Sequence, residues 1–174
     1  MYKGILFLLL VVFTLAGCGK PRLNENDAQK FLNYFYNDKV PEEITDRYLL
    51  TAGRGIVPYL IDEVQKRDMP KRGYAIGALG KLGDRRALLV LIKILGDNSE
   101  IHYFREDALV SICYLDKSLG EEMIEKYAGQ SESFDRQIEL LKKGMYDKDY
   151  NITWWDRLKD KIIFLLDKYN ILHV

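Results

Sequence analysis

Along most of the chain, apolar residues recur every three or four positions, which is the period of an amphipathic α-helix. The segment DAQKFLNYFYN places Phe31, Tyr34 and Phe35 on one face, and SFDRQIELLKKG and NITWWDRLKDKIIFLLDKYN continue the same spacing. No run alternates between apolar and polar residues as a half-buried strand does. The pattern therefore predicts an all-α chain.

Polar residues at the ends of these segments predict where helices start and stop. Asn26 is the predicted N-cap of the first helix, Ser133 opens a helix over 133–143, and Gly144 ends it. Ser118 and Glu121 have the spacing of a capping box, in which each side chain bonds a free backbone amide of the first turn.

By composition, the apolar stretch ALLVLIKIL, residues 87–95, fits either a buried strand or a buried helix. An internal sequence repeat distinguishes the two. A shift of 33 residues pairs Arg72 with Arg105, and a shift of 32 pairs Asp84 with Asp116. Moving back by 31 residues lays 54–64 on 85–95 with matching apolar positions. A period of about 30 residues predicts stacked helical pairs.

The repeated stretch AIGALGKLGDRRALLVLIKIL resembles a HEAT repeat of the short bacterial type also found in phycobilisome lyases. In that type a first helix ends in a Leu-Gly-Asp turn, and a second helix begins with Ala and a run of Leu. The segment GRGIVPYLIDEV is similar to a second helix of this kind. The resemblance implies a short HEAT-like α-solenoid of about three helix pairs, at about 41–66, 71–95 and 101–127. Further C-terminal helices are expected at about 133–143 and 152–170.

Gly77, Gly80 and Gly83 lie three apart in this stretch, which raises the question of a phosphate-binding loop. A dinucleotide fingerprint needs GxGxxG between a strand and a helix, and a P-loop ends in Gly-Lys-Ser or Gly-Lys-Thr. Here GxxGxxG lies inside a predicted helix, and neither Ser nor Thr follows Lys81. Glycine costs about 1 kcal/mol relative to alanine in a helix. We therefore expect close approach of a neighbouring helix as the compensation.

The N-terminal MYKGILFLLLVVFTLAGCGK has the layout of a secretory signal peptide: Lys3, an apolar run over 5–15, then small residues. The run is about half the roughly 20 residues that a membrane-spanning helix needs. Leu15, Ala16, Gly17 and Cys18 resemble the lipobox of bacterial lipoproteins. This resemblance implies removal of residues 1–17 and lipidation of Cys18; the alternatives are a plain signal peptide and an uncleaved helix. A tether over 18–26 and a helical domain over 27–174 would follow.

The lipobox resemblance also implies a location, the bacterial cell envelope, with the protein held to a membrane by its N-terminal lipid. Gly19 follows the cysteine where retained lipoproteins carry Asp, which resembles cargo released to the outer membrane of two-membraned bacteria. In a single-membraned organism the implied location is the outer face of the cell membrane.

Composition excludes several functional classes. Lys plus Arg and Asp plus Glu both total 26, so no charge excess favours nucleic acid as a partner. With Cys18 lipidated, Cys113 has no partner for a disulfide and is expected as a small buried hydrophobe. The sequence ties neither histidine, His102 or His173, to it. HExxH, GxSxG and CxxC are absent, so we predict no catalytic residue, metal site or cofactor.

We therefore expect a non-catalytic scaffold or adaptor that binds a protein partner. Alternatives are an immunity or envelope-assembly lipoprotein that blocks or docks one partner and, because of the lyase resemblance, an enzyme related to the bilin lyases. Second helices of a solenoid present one surface. The candidate binding residues on it are Tyr59, Asp62, Val90, Lys93, Glu122 and Glu125. For Lys93, a salt-bridged ladder with Asp62 and Glu125 is an equally good explanation.

The segment RRALLVLIKIL is apolar nearly all round, which is typical of a helix buried on more than one side. The repeat predicts which residues of this helix face the core, and it places the remaining apolar residues on the other faces of the helix. The predicted core residues are Leu88, Leu91, Ile92 and Leu95, and the others are Leu89, Val90 and Ile94. We expect the aromatic helix at 31–36 or the helix carrying Trp154 and Trp155 to cover this second side. The alternative is an open patch around Val90 and Ile94 that marks a partner site.

Overall fold

The computed structural model describes residues 23–37, 45–150 and 162, and these form helices and turns without a strand. The helices are α1 (Glu25–Tyr36), α2 (Arg47–Ala52), α3 (Val57–Glu63), α4 (Arg72–Lys81), α5 (Leu88–Gly96), α6 (His102–Leu115), α7 (Lys117–Tyr127), α8 (Glu132–Lys142) and α9 (Asp147–Tyr150). Short 3-10 turns at Gly53–Ile56 and Arg85–Ala87 lead into α3 and α5. The predicted helix at 152–170 lies outside the described residues.

Helices that are close in sequence pack on one another, and this builds a short helical array. In chain order the helices follow the predicted pairs, α2 and α3, α4 and α5, and α6 and α7, and α3 packs on α4. The first helices α4 and α6 form the most extensive interface, α5 and α7 both pack on α6, and α1 packs on α2. The predicted all-α fold class is confirmed, and ALLVLIKIL is helical.

Equivalent arginines join neighbouring elements by the same hydrogen bond. Arg72 Nε at the start of α4 donates to the carbonyl oxygen of Val64 at 2.7 Å, and Arg105 Nε in α6 donates to that of Leu95 at 2.9 Å. Val64 and Leu95 are themselves a repeat-equivalent pair that closes the preceding second helix. Each arginine thus satisfies a carbonyl that the helix end leaves without an intrahelical partner. The sequence repeat is therefore also a repeat of contacts.

A second pair of equivalent arginines links the turns of successive units. Arg54 Nε donates to the carbonyl oxygen of Leu82 at 3.1 Å, and Arg85 forms a salt bridge with Asp116 in the next turn. Within the second unit, the chain turns between α4 and α5 at Gly83, whose φ of 64° lies in the left-handed region that glycine tolerates best. These contacts fix the spacing of the three pairs at their turns.

The array continues beyond the three predicted pairs, because α8 occupies the next first-helix position. The guanidinium carbon of Arg72 lies 5.2 Å from the centre of the Phe104 ring in α6, and that of Arg105 lies 5.2 Å from the Phe134 ring in α8. Helix α8 packs on both α6 and α7. It therefore stands to the third pair as α6 stands to the second.

The buried side of α5 differs from the predicted one. Leu91 and Leu95 are fully buried, as expected, but Ile92 is 36% exposed, whereas Val90 and Ile94 are 6% and 4% exposed. Val90 and Ile94 share a recess with Arg72 and with residues 65 and 67, so the neighbouring unit covers them. The predicted cover by the aromatic helix is wrong for these two residues, because α1 packs on α2 instead. The Trp154 and Trp155 alternative lies outside the described residues.

Three predicted helix starts are wrong by two residues. In each case a residue two positions earlier accepts a hydrogen bond from a backbone amide of the first turn, which is what an N-cap does. The observed N-caps are Asn24, Asp116 and Ser131, where Asn26, Ser118 and Ser133 had been predicted. The first helix therefore includes the last two residues of the predicted tether. Gly144, with a φ of 68°, follows the C-cap Lys143 and ends the helix, as predicted.

The glycines of α4 confirm close helix approach at one position only. A Cβ built on Gly80 would lie 2.7 Å from the Cβ of Ser111 in α6 and 2.6 Å from Cε1 of Tyr150. A Cβ on Gly77 would meet nothing nearer than the Tyr150 hydroxyl, at 3.7 Å. Gly80 is therefore required by the packing of α4 on α6, and Gly77 is not.

Candidate functional site

The second helices carry a row of partly exposed isoleucines at equivalent positions. Ile61 in α3, Ile92 in α5 and Ile124 in α7 are related by the repeat shifts of 31 and 32, and none of the three is buried. In a stacked array, equivalent positions follow one another along one surface. Leu89, one helical turn before Ile92, is 82% exposed and widens the row in the middle unit. We call these four residues the apolar row.

A charged row accompanies the apolar row one residue further along each helix. It consists of Asp62, Lys93 and Glu125, and all three are exposed. No ion pair joins Lys93 to Asp62 or Glu125 within the described residues, so the predicted salt-bridged ladder is not formed there. The three charges are thus directed to solvent with alternating sign beside an apolar strip.

The other three predicted site residues lie in different environments. Tyr59 is half-buried, and its hydroxyl donates to the carbonyl oxygen of Leu23 at 3.0 Å, so it holds the N-terminal segment against α3. Val90 is buried and does not belong to an exposed surface. Glu122 is exposed on α7. The candidate face therefore comprises the charged row and Glu122, together with the apolar row that sequence reasoning did not assign to it.

The exposure of Leu89 could have been predicted from the sequence repeat. Its equivalents under the repeat shifts are Pro58 in the first unit and Glu121 in the third. A glutamate is almost never fully buried unless it is paired, so the repeat already indicated a solvent-facing position. For Ile92 no such signal existed, because both of its equivalents are isoleucine.

Cys113 lies on α6 with its sulfur against the backbone of α7. A Cβ built on Gly120 would lie 2.6 Å from the Cα of Cys113, so the two helices touch at this point. Burial raises the pKa of the Cys113 thiol to about 11, which keeps it protonated at neutral pH. His102, eleven residues earlier on the same helix, is displaced by about 16 Å along the axis and cannot act as its base.

No group of three or more His, Cys, Asp or Glu side chains among the described residues could hold a metal ion. Within that part of the chain, no helix is both long enough and apolar enough to cross a membrane. Cys18 and His173 lie outside the described residues.

Comparison of the chain with protein-family models, with curated proteins and with solved structures finds no match.

Proposed function

We propose that this protein is a bacterial envelope lipoprotein, anchored through lipid on Cys18, whose HEAT-like array binds another protein without catalysing a reaction. The lipobox resemblance of residues 15–18 supports the anchor. The repeated arginine contacts of Arg72 and Arg105 support a HEAT-like array, since they recur with the sequence period.

The observation that carries the binding role is the apolar row on the second helices. Leu89 and Ile92 lie on one helix, are 82% and 36% exposed, and are flanked by Lys93. Covering a leucine side chain fully contributes about 1.5–3 kcal/mol, so burial of this strip supplies a usable part of a binding free energy. Charges at the edge of an apolar strip set the orientation and the choice of partner more than the affinity. An apolar centre with a charged rim is the usual composition of a protein interface.

Site-specific photo-crosslinking in native membranes tests the binding role. A photoreactive amino acid replaces Ile92 in the full chain, and the matched control carries it at Glu132, which is fully solvent-facing on α8. We expect discrete adducts from position 92 that mass spectrometry identifies, and none of these from position 132.

A second variant tests whether the adducts depend on the apolar row. Leu89→Glu in the crosslinking chain should abolish the adducts while the circular dichroism spectrum and the melting temperature stay unchanged, because residue 89 is exposed. Identical adducts from both positions, or adducts that persist in the Leu89→Glu chain, would contradict the proposed face.

The anchor is tested separately by Cys18→Ala. The variant should accumulate as unprocessed precursor and should lose metabolic labelling by a palmitate analogue, because two or three acyl chains require the thiol and the new N-terminus. A variant that is still matured and labelled would contradict lipidation at Cys18.

A further inference from the structure

A cleft of about 540 Å³ opens on the first-helix side of the array, between α4, α6 and α9. It is distinct from the second-helix face, because none of the described residues that line it belongs to α3, α5 or α7. Among the described residues, five aromatic rings line it: Tyr74, Tyr103, Phe104, Tyr146 and Tyr150. Tyr74 and Tyr103 are 39% and 48% exposed, so two large rings face solvent at its mouth. Clefts of about 300–1,000 Å³ hold small organic ligands.

The cations in the walls of this cleft already have partners. Lys81 Nζ lies 2.7 Å from Asp46 Oδ2, and both side chains are mostly buried. Arg72 forms a buried salt bridge of 2.7 Å with Glu100. The ammonium group of Lys71 donates to the carbonyl oxygens of residues 35 and 37, at the outer rim. Asp107 also lines the cleft, and the charge of Lys81 lowers the pKa of its carboxylate, but the salt bridge of Lys81 is with Asp46.

That carboxylate, on Asp107 of α6, forms no hydrogen bond or ion pair within the described residues. Its Oδ2 would lie 3.2 Å from a Cβ on Gly73, so the absence of a side chain there gives it room against α4. Burial is the main cause that raises the pKa of Asp107 to about 7, and the neighbouring Glu106 carboxylate adds to the effect. Asp149, exposed on α9 at the same cleft, is also without an ion pair.

An unpaired carboxylate surrounded by tyrosine rings suits one class of ligand. Burying a carboxylate without a partner is costly, so a ligand that brings a positive charge recovers part of that cost. Aromatic faces attract organic cations by about 0.5–2 kcal/mol per ring. A metal ion fits less well, because hard cations take several oxygen ligands and the described residues contain no group of three His, Cys, Asp or Glu side chains that could hold one.

We propose that this cleft binds an organic cation, an ammonium or guanidinium group on an apolar body, with the charge at Asp107 and the body between the tyrosine rings. The group can come from a free amine or from a lysine or arginine side chain of a partner protein. Both sources present the same chemistry to Asp107. The proposal does not depend on the second-helix face.

The test is a calorimetric titration of the full lipidated chain in detergent, at about pH 8, which is above the raised pKa of Asp107. The probes are n-pentylamine, its uncharged isostere 1-pentanol, and a short peptide with one central lysine. We expect pentylamine or the peptide to bind at least about tenfold more tightly than pentanol, a difference of about 1.4 kcal/mol. Binding of both cations indicates a free amine as the source, and binding of the peptide alone indicates a partner protein.

Two variants and a control locate the binding. Asp107→Asn keeps the shape and removes the charge, so affinity for the cationic probes should fall at least about tenfold. Tyr103→Leu removes an exposed ring and should also weaken binding, without unfolding the chain, since the ring is half exposed. Glu132→Gln, at an exposed acid on α8 outside both proposed sites, should change nothing. Equal affinity for amine and alcohol, no binding of either cation, or full binding by Asp107→Asn would overturn the proposal.

Discussion

Two glycines in one helix are expected to respond in opposite directions to the same substitution. Gly77 and Gly80 both lie inside α4, so alanine should improve helix propensity at either position by about 1 kcal/mol. The surroundings differ. The new Cβ at position 80 would lie 2.7 Å from the Cβ of Ser111 and 2.6 Å from Tyr150, whereas at position 77 the nearest neighbour is 3.7 Å away.

The magnitude follows from these distances. The Cβ of Ser111 is fixed to the backbone of α6, so the clash at position 80 is relieved only if α4 and α6 separate across the most extensive helix interface. Overpacking of this kind costs about 1–3 kcal/mol, and the clash is severe enough to favour the upper part of that range. After the propensity gain, Gly80→Ala should lower the free energy of unfolding by about 1–2 kcal/mol. Gly77→Ala should raise it by about 0.5–1 kcal/mol.

Urea denaturation followed by circular dichroism measures both free energies of unfolding, and calorimetry gives the melting temperatures. For a chain of this size, 1 kcal/mol corresponds to about 2–4 °C, so the melting temperatures of the two variants should differ by about 3–12 °C. Ser111→Gly provides the coupling test, because removing its Cβ should make Gly80→Ala less costly than in the original chain. A Gly80→Ala chain as stable as Gly77→Ala, or no coupling to Ser111, would refute the close approach of α4 and α6.

Three further predictions concern buried or partly buried groups. Arg72→Met should lower the free energy of unfolding by about 3–5 kcal/mol, because it leaves the buried Glu100 carboxylate without its partner, and Arg72→Met with Glu100→Gln should recover part of the loss in urea titrations. The pKa of Asp107 rises from 3.8 to about 7 on folding, because the folded state holds the proton of this carboxyl group more tightly. Its contribution to the free energy of unfolding is therefore complete below about pH 4 and is lost as the pH rises to about 7. The difference in stability between the original chain and Asp107→Asn, measured from pH 4 to pH 8, should fall with pH by at most about 1.4 kcal/mol per unit; a pH-independent difference would contradict the raised pKa. Val90→Glu should lower the melting temperature markedly because it buries a charge, whereas Leu89→Glu should not, and equal effects would contradict the assigned burial.

The sequence by itself determined the helical pairs and their order. Helix periodicity and the turn at Gly83 are local properties, since they depend on residues within about one turn of each other. The repeat added a non-local element, because Arg72 and Arg105 at equivalent positions predicted equivalent surroundings, and their hydrogen bonds are equivalent. The need for close packing at a glycine was also predictable, although the sequence did not distinguish Gly80 from Gly77.

The candidate surfaces were decided by the tertiary structure. A helix that is apolar nearly all round has no face that its own sequence marks as exposed, so only the packing of neighbouring units buried Val90 and left Ile92 and Leu89 in solvent. The cleft at Asp107 depends still more on packing, because its walls come from four separate parts of the chain, near residues 46, 71–81, 103–107 and 146–150. The spacing of these residues along the chain does not predict that they come together. The cleft forms because α9 packs across α4 and α6 after α8 has extended the array.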